Sequence, residues 1–420
     1  MKLNPISTPS SSKRIVIIGG GAAGFFGAIA CASANSNHEV ILLEKNRQVL
    51  SKVRVSGGGR CNVTHACYDP ALLVKNYPRG GKALHGPFTR FQPHDTVEWF
   101  ESRGVYLKTE SDGRIFPVTD SSETIINCLI QEAHAHHVQI KTETGVTSIT
   151  RGKNGFTLHL SDHSSLECDC LLIATGSSPK TFEWLKQLGH HIEQSVPSLF
   201  TFNVPDSPLL DLAGISVPRA HLKIENTSLE QTGPLLVTHW GFSGPAILKL
   251  SAWGARILHD LGYQALLKIN WLADIQPEDL KQRLLECKKQ YPARQIAKES
   301  PLDLPKNLWK KLVDLASISS EQRWSFLSNK QLQELVHHLT SHTFAIKGKS
   351  TFKEEFVTCG GVKLDEVNFK TMESRLCPGL YFAGEVLDID GITGGFNFQN
   401  AWTTSWIAGH AIASSKERTG

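Results

Sequence analysis

Three glycines, Gly19, Gly21 and Gly24, follow the β-branched run Arg14–Ile18, and a second apolar run ends in the carboxylate Glu44. Each position has a physical task. Gly19 permits a tight turn out of a strand, Gly21 lets backbone approach a pyrophosphate, and Gly24 lets the following helix pack closely on the strand. Phosphates then meet a helix N-terminus, where free N–H groups and the macrodipole favour negative charge. Glu44 is placed to accept hydrogen bonds from an adenosine ribose and would repel a 2′-phosphate, so FAD or NAD suits the site better than NADP. The alternative is a glycine-rich structural turn. Against it, strand, helix, second strand and acid stand in register.

Further segments carry compatible chemistry. Ser56–Asn62 (SGGGRCN) offers consecutive flexible N–H donors and the Arg60 guanidinium, suited to a phosphate or a flavin edge. Leu171–Gly176 (LLIATG) reads as a buried strand that delivers backbone to a dinucleotide. Near the end, Tyr381–Ala383 reads as a strand, and Gly384-Glu385 can set a carboxylate on a ribityl hydroxyl. Gly394-Gly395 then opens a helix whose positive end can face the flavin N1–C2=O edge and stabilise negative charge on the reduced ring.

The elements that must hold these residues are α/β in pattern. Helices are expected over Asp95–Arg103 and Ser121–His137, with Ser121 or Ser122 as N-cap and Ile125, Ile126, Leu129, Ile130 and Ala133 as the apolar stripe. Short strands are expected at Val105–Lys108, Arg114–Pro117, Gln139–Thr142, Gly145–Thr150 and Phe156–Leu160. From about Ser195, short runs broken by Pro and Gly suggest a small barrel or sandwich, and from Pro277 to about His342 the pattern is helical. The domains expected are a Ser/Pro-rich leader over 1–12, a dinucleotide domain over 13–194 resumed at 343–420, a β-rich insert over 195–276 and a helical insert over 277–342.

The chain has 420 residues, 20% of them charged, and a formal charge of +4, which describes an ordinary globular protein of several domains. Between Glu278 and Lys311 nine Lys/Arg meet five Asp/Glu, a local surplus that equals that of the whole chain. Either it is a solvated helical face or it receives a polyanion. Lys288, Lys289, Arg294 and Lys298, with Tyr291 and Trp309 interleaved, are the candidate RNA contacts; the alternative is a helix pair with a core tryptophan. The nine cysteines form no C-x-x-C pair and no even ladder, so reduced thiols and a cytoplasmic location are expected, with neither zinc nor disulfides. His134, His136 and His137 do not share a helical face, so no metal site is expected there. Ile15–Ala34 superficially resembles a signal peptide, but its glycines belong to the dinucleotide turn, and no stretch is apolar for long enough to span a bilayer.

Together, GGGAAG, the acid of LLEK, SGGGRCN, LLIATG, THWGFSGPAIL (Thr238–Leu248), TCGGV (Thr358–Val362) and the GEVLDIDG…GGFNFQNAW region resemble the BaiN/RdsA-type, YhiN-like FAD-dependent oxidoreductases, from about Lys13 to about Ala413. The resemblance implies a Rossmann-like FAD domain of the glutathione-reductase type, interrupted by a β-barrel-like and helical insertion. By that resemblance the FAD contacts are Gly19, Gly21, Ala23, Gly24, Glu44, Lys45, Ser56, Gly59, Arg60, Cys61, Asn62, Val146, Ala174, Thr175, Gly176, Gly384, Glu385, Gly395, Phe396 and Asn397. Cys31 stands where such helices usually carry Ala, a small apolar exchange. Glu385 stands where many two-dinucleotide flavoproteins use Asp.

The activities implied are reduction of uridine to dihydrouridine in 23S ribosomal RNA, reduction of an activated C=C bond in steroid-like acids, and an amine-oxidase label. The first two share hydride transfer from flavin N5 and protonation of the neighbouring carbon. No second G-x-G-x-x-G has the strand-helix-acid context, so NAD(P)H is expected to dock transiently. Cys61 and Cys67 do not match the C-x4-C of disulfide reductases. Candidate proton donors are Cys61, His239 and Cys359, each with a packed structural role as its alternative. A small-molecule enone reductase and a non-catalytic FAD-binding sensor are the rival functions.

Overall fold

The computed structural model describes residues 12–153, 155–350 and 357–415; all of the expected leader except Ser12 lies outside them. The chain divides into two units, Met1–Val196 with Val357–Gly420, and Pro197–Phe356.

In the first unit, β1 (Arg14–Ile18) and β2 (Glu39–Leu43) lie side by side in parallel, Ile15 opposite Val40. Cys170–Ile173 flanks β1 on its other side and Leu380–Phe382 follows, while Gln139–Lys141 extends the sheet beyond β2, all parallel. Glu373–Ser374 and Val367–Asn368 add an antiparallel edge. The Val/Ile/Leu runs of β1 and β2 are buried almost throughout, as expected of strands covered on both faces. Helix α1 (Ala22–Ala34) links β1 to β2 and packs on the terminal helix Phe396–Ala413. Small residues allow the close approach. A Cβ on Gly409 would lie 2.7 Å from both the Gly27 carbonyl oxygen and the Ala30 methyl. Ser121 is the N-cap of helix Ser122–Ala135, its hydroxyl accepting the Glu123 N–H.

The second unit holds a seven-stranded sheet. Ser216–Ile224 lies between Glu230–Thr238 and Gln264–Asn270, each pair antiparallel. Leu222, Ile224, Leu267 and Ile269 point into a core that also buries Trp271, Trp309 and Trp324. Two features depart from the expected layout. Helices Pro245–Trp253 and Ala255–Asp260 interrupt the stretch expected to be β-rich, with Pro245 preset for a first helical turn. The unit also runs beyond residue 342: His342–Lys347 pairs with Gln264–Asn270, and Lys349–Ser350 with Thr201–Asn203. His342, Phe344 and Ile346 alternate inward to this core. Alternation shows that a strand exists but does not name its partner. Among the described residues no helix is long and apolar enough to cross a membrane.

Candidate functional site

The expected dinucleotide residues of the first unit converge at the carboxyl ends of its parallel strands, the usual ligand crevice of such sheets. Gly19 turns the chain at φ +114°, and a Cβ there would lie 2.4 Å from the Ala174 carbonyl oxygen. A Cβ on Gly24 would lie only 1.8 Å from the Gly19 carbonyl oxygen, the close helix–strand packing its position demands. Gly21 is different. A Cβ there meets nothing within 4 Å, and as N-cap of α1 it brings no side chain to the helix's free N–H groups. This is a cradle that a side chain would fill, and it fits a diphosphate.

Glu44 is half-buried at the end of β2. Its carboxylate accepts the Gly20 N–H at 2.8 Å and the Asn46 N–H at 2.9 Å, so it braces the glycine turn and its own loop. Two oxygens carry more lone pairs than these bonds use. The approach to Val146 packs against the same loop: Thr144 donates to the Glu44 carbonyl at 2.9 Å, and a Cβ on Gly145 would lie 3.7 Å from the Lys45 Cβ. Ala23 meets Gly384, where a Cβ would come within 3.0 Å of the alanine methyl. Thr175 and Gly176 follow the strand Cys170–Ile173, and a Cβ on Gly176 would sit 3.5 Å from Glu385 Oε2.

Ser56–Asn62 forms a turn at the end of a short helix, exposed at Gly57, Gly58 and Gly59. Gly57, Gly58 and Gly59 all take positive φ, and neither Gly58 nor Gly59 has a neighbour where a Cβ would stand. Asn62, its amide assigned from the hydrogen-bond network, donates to the Thr64 carbonyl at 3.0 Å and accepts the Gly395 N–H at 2.9 Å. It thereby ties SGGGRCN to the start of the terminal helix. Gly395 has φ +90°, and a Cβ would strike the Thr64 carbonyl at 2.5 Å.

Several expected contacts have protein partners. Arg60 donates to Glu110 at 2.7 Å and lies over the Phe116 ring. Asn397 holds both backbone groups of Gly391, at 2.8 and 2.9 Å. Phe396 is buried and stacks on His65. Glu385 pairs with Lys52 at 2.6 Å, and the carboxylate raises the lysine's affinity for its proton. Lys52 went unnoticed in the sequence, as did the bracing of the 388–391 loop, where Asp388 accepts the Gly360 N–H at 2.9 Å and the buried Asp390 takes a two-pronged bond from Arg79. The adjacent acids of LDIDG were the available signal.

The proton-donor candidates separate by exposure. Cys61 is fully buried, its thiol pushed up to about 12 by that burial, and Cys359 is fully buried in the strand Val357–Val362. His239 is exposed in the second unit, between strands Glu230–Thr238 and Gly241–Ser243. Of the expected RNA contacts, Lys288 is spent on the Leu327 carbonyl at 2.7 Å, and Arg294 stacks on Tyr291. Trp309 is core, its indole N–H donating to Ile296, so the stacking role expected of it is withdrawn. Lys289 and Lys298 are exposed. His94, Asp95 and Glu98 bring three possible metal ligands together, but Asp95 caps its own helix by accepting the Gln92 N–H.

The sequence profile of the HI0933-like protein Rossmann domain matches residues 13–411. The chain belongs to this HI0933-like family of FAD-dependent oxidoreductases. A ribosomal RNA dihydrouridine synthase of Escherichia coli (strain K12) is 30% identical over 91% of this chain and 94% of its own. A 3-dehydro-bile acid delta(4,6)-reductase of Clostridium scindens is 28% identical over 92% and 95%. In fold, the chain is similar to 3-ketosteroid-delta4-(5alpha)-dehydrogenase from Rhodococcus jostii RHA1, with a TM-score of 0.52, 13% identity, and 98% and 99% of the two chains covered. An HI0933-like flavin-dependent reductase is consistent with the crevice, whose uncapped α1 N-terminus and open Gly21 fit FAD.

Proposed function

We propose that this HI0933-like protein reduces a uridine of large-subunit ribosomal RNA to dihydrouridine, with NAD(P)H as a transient reductant. The observation that carries the substrate is the 30% identity, across nearly both whole chains, to a protein named ribosomal RNA dihydrouridine synthase. When bound, FAD supplies hydride from N5 to the electron-poor C6 of the pyrimidine. The protein's part is to hold and to protonate. The free N–H groups of α1 at Gly21 take the diphosphate, and Glu44 takes the adenosine ribose. Glu385, freed from Lys52, takes a ribityl hydroxyl. Gly395 contributes no capping side chain, so the positive end of the terminal helix is left for the ring's electron-rich edge. Carbon C5 needs a proton from an acid that recharges from water at each turnover. Full burial counts against Cys61 and Cys359 for that task.

Mapping dihydrouridine in ribosomal RNA from cells with and without this gene tests the reading. One modification should disappear with the gene. An unchanged pattern would refute the RNA substrate and leave reduction of a steroid-like enone, the reading favoured by the bile acid reductase relative.

A further inference from the structure

The helical stretch expected to meet RNA spends part of its charge on the protein itself, yet the same unit carries unspent charge elsewhere. On Ser216–Ile224 and Gln264–Asn270, Leu222, Ile224, Leu267 and Ile269 are buried, so the residues between them face outward. The register sets His221 opposite Asn270 and Lys223 opposite Lys268. Two ammonium groups directly across an antiparallel pair repel each other. Neither lysine is in an ion pair among the described residues.

Both line a cleft of about 360 Å³, together with His221, Asn270, Gln276 and Ser341. None of the cleft's lining residues is an Asp or Glu. Gln276, the N-cap of the 14-residue helix Pro277–Gln290, makes no side-chain cap and lines the same wall with its exposed side chain. Asn270 holds the wall in place, accepting the Leu272 N–H at 2.9 Å and donating to the Ile275 carbonyl at 3.3 Å. The acids nearby stand outside the lining. Glu230 lies across from Lys223 on the far strand, 3.9 Å from His221 Nε2, and Glu278 and Asp279 are exposed on the helix's first turn.

Like charges held face to face, with no carboxylate in the lining, make a receptor for an anion with several acceptor oxygens. We propose that the cleft of Lys223, Lys268 and Gln276 is a phosphodiester-binding site that grips the RNA substrate's backbone. The inference rests on the ribosomal RNA reading above and moves the phosphate contacts from Lys288 and Arg294 to the face of the sheet. Such contacts hold and orient RNA without reading its sequence.

The test is binding of FAD-loaded protein to protein-free large-subunit ribosomal RNA over a series of potassium chloride concentrations. Lys223→Gln with Lys268→Gln keeps a polar side chain at both solvent-facing positions and removes both charges. Losing two phosphate contacts should weaken binding at low salt and flatten the slope of log K against log salt by about 1.4 to 1.8. Lys223→Arg with Lys268→Arg should keep the slope, and Lys268→Glu alone should weaken binding further than Lys268→Gln. Wild-type protein that binds while the double glutamine variant shows the same affinity and slope would overturn the cleft and spare the uridine reading. Wild-type protein that binds no RNA would overturn both.

Discussion

Gly21 and Gly24 share one motif but should fail in opposite ways when each becomes alanine. At Gly24 the new methyl would stand 1.8 Å from the Gly19 carbonyl oxygen and 3.2 Å from a Leu42 methyl, with backbone as the obstacle. Helix and strand must then part, at a cost of about 1–3 kcal/mol typical of overpacking. For a unit of this size that lowers Tm by roughly 2–4 °C per kcal/mol. At Gly21 the backbone is extended, φ −92° and ψ −170°, and the methyl meets nothing within 4 Å. Apoprotein carrying Gly21→Ala should therefore melt within about 1 kcal/mol of wild type, the scale of a changed N-cap. Its FAD affinity should fall at least tenfold, about 1.4 kcal/mol, because the methyl takes the diphosphate's place. Thermal melts of apoprotein and flavin-fluorescence titrations separate the two effects. Full FAD affinity in Gly21→Ala, or wild-type stability in Gly24→Ala, would refute the assignment of these positions.

The Arg79–Asp390 pair is buried, so Asp390→Ala should destabilise the protein by about 3–5 kcal/mol in urea titrations, and a loss below 1 kcal/mol would contradict a structural role. His342 is buried against Phe344, and desolvation pushes it down to about 3. The folded state thus binds fewer protons than the unfolded one below about pH 6.5, so stability should fall with acidification by up to about 1.4 kcal/mol per pH unit. His342→Phe should remove that part of the slope between pH 6.5 and 5; the same slope in both proteins would disprove it. Under native iodoacetamide treatment read by mass spectrometry, half-buried Cys67 should be alkylated before Cys61, whose thiol is both buried and hard to ionise. Early loss of Cys61 would reopen its candidacy as the proton donor.

What could be read in the chain was governed by local sterics. Gly19, Gly21 and Gly24 stand within six residues, and their spacing follows from one turn and one helix start, so the crevice was legible there. Gly395 was legible as the opening of the terminal helix, and the fold gives it a positive φ that favours glycine. Distant pairing was not. Lys52 and Glu385 lie 333 positions apart, and nothing near either residue announces the other. Lys288 reads as a solvated charge until the fold brings the Leu327 carbonyl to it, and Trp309 reads as a stacking surface until Ile296 takes its N–H. The same limit hid the second unit's end, since His342–Lys347 carries strand periodicity that would serve either unit's sheet. Residue type shows what a side chain can do; only the fold shows which partner has already claimed it.

The most direct test of the proposed reaction is reconstitution. Purified protein, FAD, NAD(P)H and protein-free large-subunit ribosomal RNA are incubated without air, and the RNA is digested and weighed by mass spectrometry. A single uridine heavier by about two mass units, appearing only when the reductant and wild-type protein are both present, is the expected result, because hydride and proton add across one C=C bond. Flavin that is bound and reduced while every uridine keeps its mass would contradict it.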